Sequence, residues 1–327
     1  MKFIQFAALV GTALALPSGE PALAPRQACT NPKVRKSWRD ATTAEKRAYL
    51  DAAVCVTKAP SRLKTHPNAT LHDDFGYVHA VLSDSRIPIF IHGVPTFLPW
   101  HRYFVQVYED ALRDCGYTGA AMYWDWVKDS NAPSKSSVWD PVTGFGGNGA
   151  GTEPNNGVGP RVQNGPFRDY KPLYWGTAVT PHWLSRNFLP GEPDILGWGY
   201  TQEIIDEINA ETSYNGFRSL LEDGPHSKIH FGVGGGNGNG LPGDLGSNAA
   251  SPNDPIFFLH HAQVDRLWWL WQEANPNVRT DAYDGTDQLG RPVSLNDTLP
   301  MEDLAPDGIV KDYMDVKSPK LCYTYTV

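Results

Sequence analysis

The sequence predicts a mainly α fold with long loops and a few short strands, and two observations carry this prediction. In several segments, apolar residues recur at intervals of three and four, which is the spacing of a helix that buries one face. Between these segments lie long turn-forming stretches, and the chain of 327 residues contains 31 glycines and 27 prolines. A chain of this length buries a sizeable core, so we expect a compact helical centre surrounded by ordered loops.

The first residues have the pattern of a secretory signal peptide. Lys2 precedes an apolar run over residues 3–16, which is shorter than the roughly 20 residues that a membrane span needs. We interpret residues 1–16 as a signal peptide and residues 17–26, rich in Pro and Ala, as a propeptide or leader. The protein is therefore expected to be secreted and extracellular. No linker divides the remainder, so residues 27–327 are predicted to form a single domain.

The strongest helical patterns lie in the first third of the chain. Thr42 and Glu45 have the spacing of a capping box, which opens a helix predicted over residues 42–58. A second helix is predicted over residues 73–82. The third pattern is the most regular, because apolar residues recur at helical spacing over residues 100–112 before a glycine ends the segment. We expect this third helix to lie across the core.

The rest of the chain alternates between loops and shorter helices. Residues 127–199 contain many turn-forming residues and no sustained helical period, which indicates loops supported by the helices. Helical patterning then returns in four segments, residues 201–208, 213–221, 225–231 and 254–273. Beyond Pro276 we expect loops and short strands.

The cysteines and the glycosylation sequons agree with secretion. The four cysteines favour two disulfide bonds, and their spacing alone leaves three pairings open. Asn68 and Asn296 each begin a sequon, so both are predicted to carry surface glycans. The net charge of −8 argues against nucleic acid and against an anionic membrane surface as partners. No feature indicates a large assembly, and we expect a monomer or a weak oligomer.

Three histidines in the first third of the chain have a spacing that suits a metal site. His79 lies on the second predicted helix, His92 on the following loop and His101 in the first turn of the third helix. Neutral imidazoles suit copper or zinc, and the apolar residues between His92 and His101 would keep such a site dry. A lone histidine is more often a hydrogen-bonded core or surface residue than a ligand, and that alternative stays open for His79.

A second group of histidines lies in the last third of the chain. His226 and His230 are four residues apart on one predicted helix, so their rings project from the same face, and His261 could complete a trio. His260 must point to another side of its helix, so only one of the two adjacent histidines can share that metal. No glutamate follows His226, which disfavours a zinc peptidase. Three others have no partner spacing and are interpreted as ordinary polar residues: His66, His72 and His182.

Two longer stretches resemble the copper signatures of the tyrosinase and catechol oxidase (polyphenol oxidase) family. HGVPTFLPWHRYFVQVYE, residues 92–109, is similar to the first signature, and DPIFFLHHAQVDR, residues 254–266, is similar to the second. The resemblance extends from about residue 34 to a closing tyrosine motif at Tyr323 and Tyr325. It implies a four-helix bundle that holds a type 3 dicopper centre.

The resemblance also implies roles for individual residues. It divides six histidines between two copper ions, with His79, His92 and His101 for the first and His226, His230 and His261 for the second. His260 would then be a neighbour of the ligands. Asp265 would either orient the ring of His261 or pair with Arg35 or another arginine.

The cysteines and the length of the chain are compared with the family in the same way. The implied disulfide bonds are Cys55–Cys115, which joins two helices, and Cys29–Cys322, which joins the two ends of the domain. Many fungal and plant members have a cysteine, linked to a copper ligand through a thioether, where this chain has Phe90. We therefore expect no thioether. Larger fungal tyrosinases carry a C-terminal domain over the active site, and this chain is expected to be a short form without one.

The resemblance implies small phenolic substrates and dioxygen. Glu222, four residues before His226, resembles the family's water-holding glutamate, and Ser227 stands where members that hydroxylate monophenols have an asparagine. Because serine has a shorter reach toward a water molecule, we expect a catechol oxidase that converts o-diphenols to o-quinones, reduces O2 to water and has weak or no monophenol hydroxylation. The alternatives are a tyrosinase with monophenolase activity, a hemocyanin-like dioxygen carrier and a zinc hydrolase that uses one histidine trio.

Overall fold

The structure is a computed structural model of the chain. It describes residues 29–84, 91–151, 155–236 and 240–326. The predicted signal peptide, residues 1–16, and the predicted leader, residues 17–26, lie outside the described residues, and so does Phe90.

The described residues form nine α-helices and six short strands. The helices are α1 (Thr43–Val56), α2 (Leu71–Leu82), α3 (Phe97–Asp114), α4 (Trp126–Asp129), α5 (Gln202–Asn209), α6 (Tyr214–Leu221), α7 (Ser227–Gly234), α8 (Ile256–Glu273) and α9 (Pro276–Arg279). The strands are β1 (Lys33–Arg35), β2 (Tyr174–Trp175), β3 (Ala178–Val179), β4 (Thr298–Leu299), β5 (Gly308–Ile309) and β6 (Tyr323–Tyr325). The prediction of a mainly α fold with a few short strands is confirmed.

Local caps explain where the first two helices begin. The side chain of Thr42 accepts a hydrogen bond from the N–H of Glu45, whose carboxylate accepts one from the N–H of Thr42, so the predicted capping box is present. Thr70 and Asp73 make the same reciprocal pair. As a result α2 begins at Leu71 rather than at residue 73.

One predicted helix begins with a turn of another type in the structure. The sequence pattern predicts a helix over residues 225–231, but Glu222–His226 form a π-helical turn and α7 begins only at Ser227. The reason lies in Gly224, whose backbone is non-helical at φ −88° and ψ −110°, and in Pro225, which has no N–H to donate to a helix. Turns of the π type occur frequently at functional sites.

Helices α3 and α8 form the centre of the core. The rings of Tyr108 on α3 and Phe258 on α8 stack with their centroids 3.4 Å apart. Helix α2 packs against both through Phe75, whose ring lies 5.2 Å from that of Tyr108 and 5.5 Å from that of Phe258. A disulfide bond between Cys55 and Cys115 joins α1 to the end of α3. Large buried aromatic rings therefore hold together the helices that carry His79, His101 and His261.

The two ends of the described chain meet in a pair of parallel strands. Strand β1 pairs with β6, so that Lys33 lies opposite Tyr323 and Arg35 opposite Tyr325. The disulfide bond Cys29–Cys322 lies beside this pair. The structure thus contains both disulfide bonds that the resemblance implies.

A buried network of charged side chains lies against this strand pair. Asp265 on α8 accepts hydrogen bonds from two arginines and two tyrosines, namely Arg35, Arg102, Tyr323 and Tyr325. Arg35 also pairs with Glu109 at 2.9 Å. Of the two expectations for Asp265, the structure shows the pairing with arginine, since the Nδ1 atom of His261 has no hydrogen-bond partner in the described part of the chain.

Both predicted glycosylation sites lie at the surface of the structure. Asn68 and Asn296 are both exposed, as an acceptor of a glycan must be. Among the helices of the described ranges, none is long and apolar enough to cross a membrane.

Candidate metal centre

The first histidine cluster consists of His79 on α2, His92 on the loop before α3, and His101 on α3. One ring nitrogen of each lies within 4.8 Å of the other two, and all three side chains are buried. Ser83, which follows α2, lies 3.4 Å from Nδ1 of both His79 and His92. The structure therefore brings together the three histidines that the sequence assigns to the first metal.

The second cluster contains the three predicted histidines and one more. Ring nitrogens of His226, His230, His260 and His261 all lie within 4.8 Å of one another. The ring centroids of His226 and His230 are 4.5 Å apart, and that of His261 lies 5.1 Å from His226 and 5.6 Å from His230. The π-helical turn, α7 and α8 supply these side chains.

Backbone carbonyls fix the orientation of three of the rings. Nδ1 of His101, His226 and His230 lies 2.8 to 3.0 Å from the carbonyl oxygens of Phe97, Glu222 and Leu245 respectively. A carbonyl only accepts hydrogen bonds, so Nδ1 of each ring carries the proton and Nε2 keeps a lone pair. This is how histidine ligands are oriented in many metal sites.

Several ring nitrogens are left buried without a hydrogen bond. Nε2 of His79, His101 and His226 has no partner among the described residues. A buried polar atom without a partner is costly, roughly 1–3 kcal/mol, and a metal ion bound to it removes that cost. The orphaned nitrogens and the all-imidazole donor set therefore fit copper.

The two clusters face each other across a narrow space. The rings of His101 and His261 stack with centroids 4.3 Å apart, and those of His92 and His226 lie 6.5 Å apart. Phe97 contacts rings of both clusters, as does Phe257, and these apolar side chains exclude water. The arrangement suits two metal ions close enough to act on one small molecule.

Burial keeps the imidazoles neutral, which is the form that binds a metal. It lowers the pKa of His79 to about 3 and that of His230 to about 4. It also lowers the pKa of the other histidines in both clusters, where repulsion between neighbouring rings adds to the effect.

His260 lies in the second cluster, although it is expected from its place in the sequence to point to another side of α8 than His261. Its ring stacks on that of His226 with centroids 5.3 Å apart, and neither of its nitrogens has a hydrogen-bond partner within the described ranges. His261, in contrast, stacks on His101 of the first cluster and so lies between the two clusters. The assignment of His261 as the ligand and of His260 as its neighbour stays a prediction.

Glu222 connects the loops of the two clusters. Its Oε1 accepts a hydrogen bond from the N–H of Gly93, next to His92, and its Oε2 pairs with Arg218 at 2.7 Å. Burial raises the pKa of Glu222 to about 7, although the Gly93 N–H and Arg218 act in the opposite direction. Both carboxylate oxygens already accept a hydrogen bond, and the water-holding role stays a prediction.

Ser227 lies at the start of α7, beside the second cluster. Its hydroxyl donates to the carbonyl oxygen of Glu222 at 2.8 Å, the same oxygen that faces Nδ1 of His226. A small cavity of about 30 Å³ opens here and is lined by His226, Ser227, His230, Phe231, Leu245, Gly246 and Asn248. A larger cavity of about 440 Å³ is lined in part by Val94 and Asp287, and none of its described lining residues is a histidine.

The remaining histidines lie outside both clusters. His72 is buried and its Nε2 lies 2.9 Å from the carbonyl oxygen of Pro252. His182, which the sequence predicts to be an ordinary polar residue, is instead buried in an ion pair with Asp244 at 2.9 Å. No local pattern indicates this pair, because the two residues are 62 positions apart.

Two facing groups of imidazoles in a helical core define a dinuclear metal protein. Comparison with known proteins specifies the class. Residues 65–274 match the family model for the common central domain of tyrosinase. The tyrosinase-like protein phomQ1' of Diaporthe leptostromiformis is 38% identical to this chain over 350 aligned positions, which cover 99% of this chain and 88% of that protein. Tyrosinase ustQ of Aspergillus flavus is 37% identical, with 91% of this chain and 80% of that protein covered.

A solved structure agrees with these relatives. A mutant of the polyphenol oxidase from Thermothelomyces thermophila superposes with a TM-score of 0.75 and 27% identity, covering 92% of this chain and 91% of that one. The chain belongs to the tyrosinase family. Proteins of this family carry a type 3 dicopper centre, and the two histidine clusters could bind its copper ions. The chain is therefore a tyrosinase-family oxidase that acts on phenols with dioxygen.

Proposed function

We propose that the protein is a catechol oxidase, which converts o-diphenols to o-quinones and has weak or no activity on monophenols. The choice of catechol over monophenol oxidation rests on one observation. Ser227 lies beside the second cluster, and its hydroxyl donates a hydrogen bond to the carbonyl oxygen of Glu222. In the overall reaction two catechols each lose two electrons and two protons, and one O2 becomes two molecules of water.

The protein's own contribution is to bind, orient and exclude water. Six imidazoles, from His79, His92, His101, His226, His230 and His261, would hold the two copper ions. A copper pair supplies electron exchange with dioxygen and with a bound phenol. Phe97 and Phe257 contact rings of both clusters and keep bulk water away from the centre. Glu222 ties the loop of His92 to the turn of His226.

The position of Ser227 supports catechol over monophenol oxidation. A monophenol has no second hydroxyl, so its proton must be taken by a correctly placed water molecule or side chain. The hydroxyl of Ser227 already donates its hydrogen to the carbonyl oxygen of Glu222, and the side chain of serine is one atom shorter than that of asparagine. It is therefore poorly placed to hold such a water together with the carboxylate of Glu222.

The cellular setting is part of the same proposal. We propose a secreted, extracellular protein with residues 27–327 as one catalytic domain, glycans at Asn68 and Asn296, and a monomeric or weakly oligomeric state. Two disulfide bonds and the exposure of both asparagines support an oxidising, extracellular setting.

Oxygen uptake by the copper-loaded protein tests the proposed reaction. We expect uptake with 4-methylcatechol and little with the matching monophenol, 4-methylphenol. Ser227→Asn should raise the monophenol-to-catechol rate ratio about tenfold, the worth of roughly one hydrogen bond in the transition state. Ser227→Ala is the control, because it removes the hydroxyl without adding an amide and should keep the ratio low.

The other outcomes point to the alternatives. Brisk uptake without a lag on both substrates by the unaltered protein would make it a tyrosinase. Reversible binding of dioxygen without turnover of either phenol would indicate a carrier similar to hemocyanin.

A further inference from the structure

The buried ion pair of His182 and Asp244 lies outside both histidine clusters. Asp244 directly precedes Leu245, whose carbonyl oxygen contacts the ring of His230. Nε2 of His182 lies 2.9 Å from Oδ1 of Asp244, and both side chains are fully buried. Nδ1 of the same ring lies 2.6 Å from the carbonyl oxygen of Thr180. Both ring nitrogens therefore face atoms that only accept hydrogen bonds.

This environment requires the charged form of His182. A ring that donates from both nitrogens is an imidazolium, and its charge is balanced by the carboxylate of Asp244. Burial by itself lowers the pKa of His182, whereas Asp244 and the Thr180 carbonyl raise it. The two raising effects together exceed the effect of burial, so the net shift of the pKa is upward. His182 thus differs from the histidines of both clusters, whose pKa values are all lowered.

Asp244 uses both of its oxygens to hold a loop in place. Oδ2 accepts a hydrogen bond from the N–H of Ser185 at 2.9 Å, and Oδ1 accepts one from the side-chain amide of Asn253 at 2.9 Å, in addition to His182. The N–H of Asp244 in turn donates to the carbonyl of Ser185. The backbone at residue 244 is therefore fixed from several directions.

Leu245, the residue after Asp244, contacts a histidine of the second cluster through its backbone. The carbonyl oxygen of Leu245 lies 2.8 Å from Nδ1 of His230. That contact places the proton on Nδ1 and leaves Nε2 free to bind a metal. A shift of the loop at Asp244 would move the Leu245 carbonyl and release the ring of His230.

A second ion pair anchors the same two segments. Arg186 makes a two-pronged contact with Asp254, at 2.6 and 2.8 Å, and also donates to the carbonyl oxygens of residues 145–147. Asp254 lies just before α8, which carries His260 and His261. Residues 180–187 thus hold both the loop that orients His230 and the start of α8.

We propose that His182 and Asp244 are positioning residues for the second copper ion, which act through the Leu245 carbonyl on the ring of His230. This inference rests on the dicopper centre of the proposed function. It assigns a role in metal binding to a pair that contacts neither metal nor substrate. A purely structural pair would change stability without selecting one of the two copper ions.

The test is the variant Asp244→Asn in the copper-loaded protein. An amide has one acceptor oxygen, whereas the three donors around Asp244 occupy both carboxylate oxygens, so at least one contact is lost. We expect the affinity for the second copper ion to fall about 10- to 100-fold, the usual cost of removing a group that orients a ligand. Competition with a chelator measures this affinity for each ion in turn.

Electron paramagnetic resonance adds a readout that does not depend on turnover. Two adjacent cupric ions couple and give little signal, whereas a lone cupric ion in the first site gives a strong one. Under limiting chelator, the signal should therefore grow in Asp244→Asn while the unaltered protein stays nearly silent. His182→Gln, which keeps the carboxylate, should show the same change in weaker form and serves if Asp244→Asn does not fold.

Asp74→Asn is the matched control. Asp74 is buried and also accepts three hydrogen bonds with both oxygens, from the Ser61 hydroxyl and from the N–H groups of Arg62 and Leu63. None of these partners contacts a histidine of either cluster in the described structure. It should lose stability yet keep both copper ions.

The outcomes separate this inference from the proposed function. The positioning role would be overturned if Asp244→Asn and Asp74→Asn lost both copper ions equally. It would also be overturned if neither Asp244→Asn nor His182→Gln lost the second copper ion selectively. Failure of the unaltered protein to oxidise catechol would count against the proposed reaction and would leave the copper-binding result to be judged separately.

Discussion

Replacing His261 with glutamine is expected to remove the second copper ion and to lower the rate of catechol oxidation by on the order of 1000-fold or more. His261 stacks on His101 of the first cluster at 4.3 Å, so it lies between the two groups of imidazoles. Both of its ring nitrogens are buried without a hydrogen-bond partner among the described residues. A glutamine side chain cannot supply the imidazole lone pair that copper prefers.

His260→Gln is the matched variant, because it changes the adjacent residue of the same helix. His260 stacks on His226 rather than on the first cluster, and we expect this variant to keep two copper ions and most of its activity. Metal analysis and oxygen uptake on both proteins measure the difference. If His260→Gln lost the copper ion and His261→Gln kept it, the assignment of the ligand would be reversed.

Replacing Asp265 with alanine is expected to lower the free energy of unfolding by about 3–5 kcal/mol, because it removes the carboxylate that pairs with the buried Arg102 and leaves Arg35 with Glu109 alone. Arg35 and Arg102 have fully buried side chains, and both pair with Asp265. Tyr323 and Tyr325 donate their hydroxyl hydrogens to the same carboxylate. The variant therefore disrupts the joint between α3, α8 and the closing strand in one step.

Denaturant unfolding measures this loss, and Glu273→Ala is its control. Glu273 lies on the same helix but pairs with Lys317 at the surface, where both side chains are about two-fifths exposed. Exposed pairs of this kind contribute roughly 0–1 kcal/mol. Equal, small effects of the two substitutions would mean that the buried network does not stabilise the joint.

The parts of the fold that the sequence predicts are those with local causes. The capping box of Thr42 and Glu45 and the regular apolar spacing of α3 act over a few residues, and the helices they predict are present. The sequence pattern separates the helices over residues 213–221 and 225–231, but apolar spacing does not predict the π-helical turn of Glu222–His226 between them. The parallel pairing of β1 with β6 joins residues almost 300 positions apart, and the local spacing of apolar residues cannot predict such a distant contact.

In the candidate site, too, the sequence predicts the features with local causes and not those that depend on the complete fold. Histidines spaced four apart on a helix, or flanking a short apolar segment, predict metal ligands because the spacing fixes which face they share. The inclusion of His260 in the second cluster depends on how α8 is rotated in the core. The contacts of Glu222 with Gly93 and of His182 with Asp244 depend on the complete fold, since they join segments 129 and 62 residues apart.

The metal content of the purified protein tests the account most directly. Six imidazoles in two facing clusters should bind two copper ions per chain, and the oxidised protein should give little electron paramagnetic resonance signal because the two ions are coupled. Two copper ions with a nearly silent spectrum is the predicted result. One tightly bound ion per chain, or zinc in place of copper, would contradict the dicopper centre and with it the assignment of catechol oxidation.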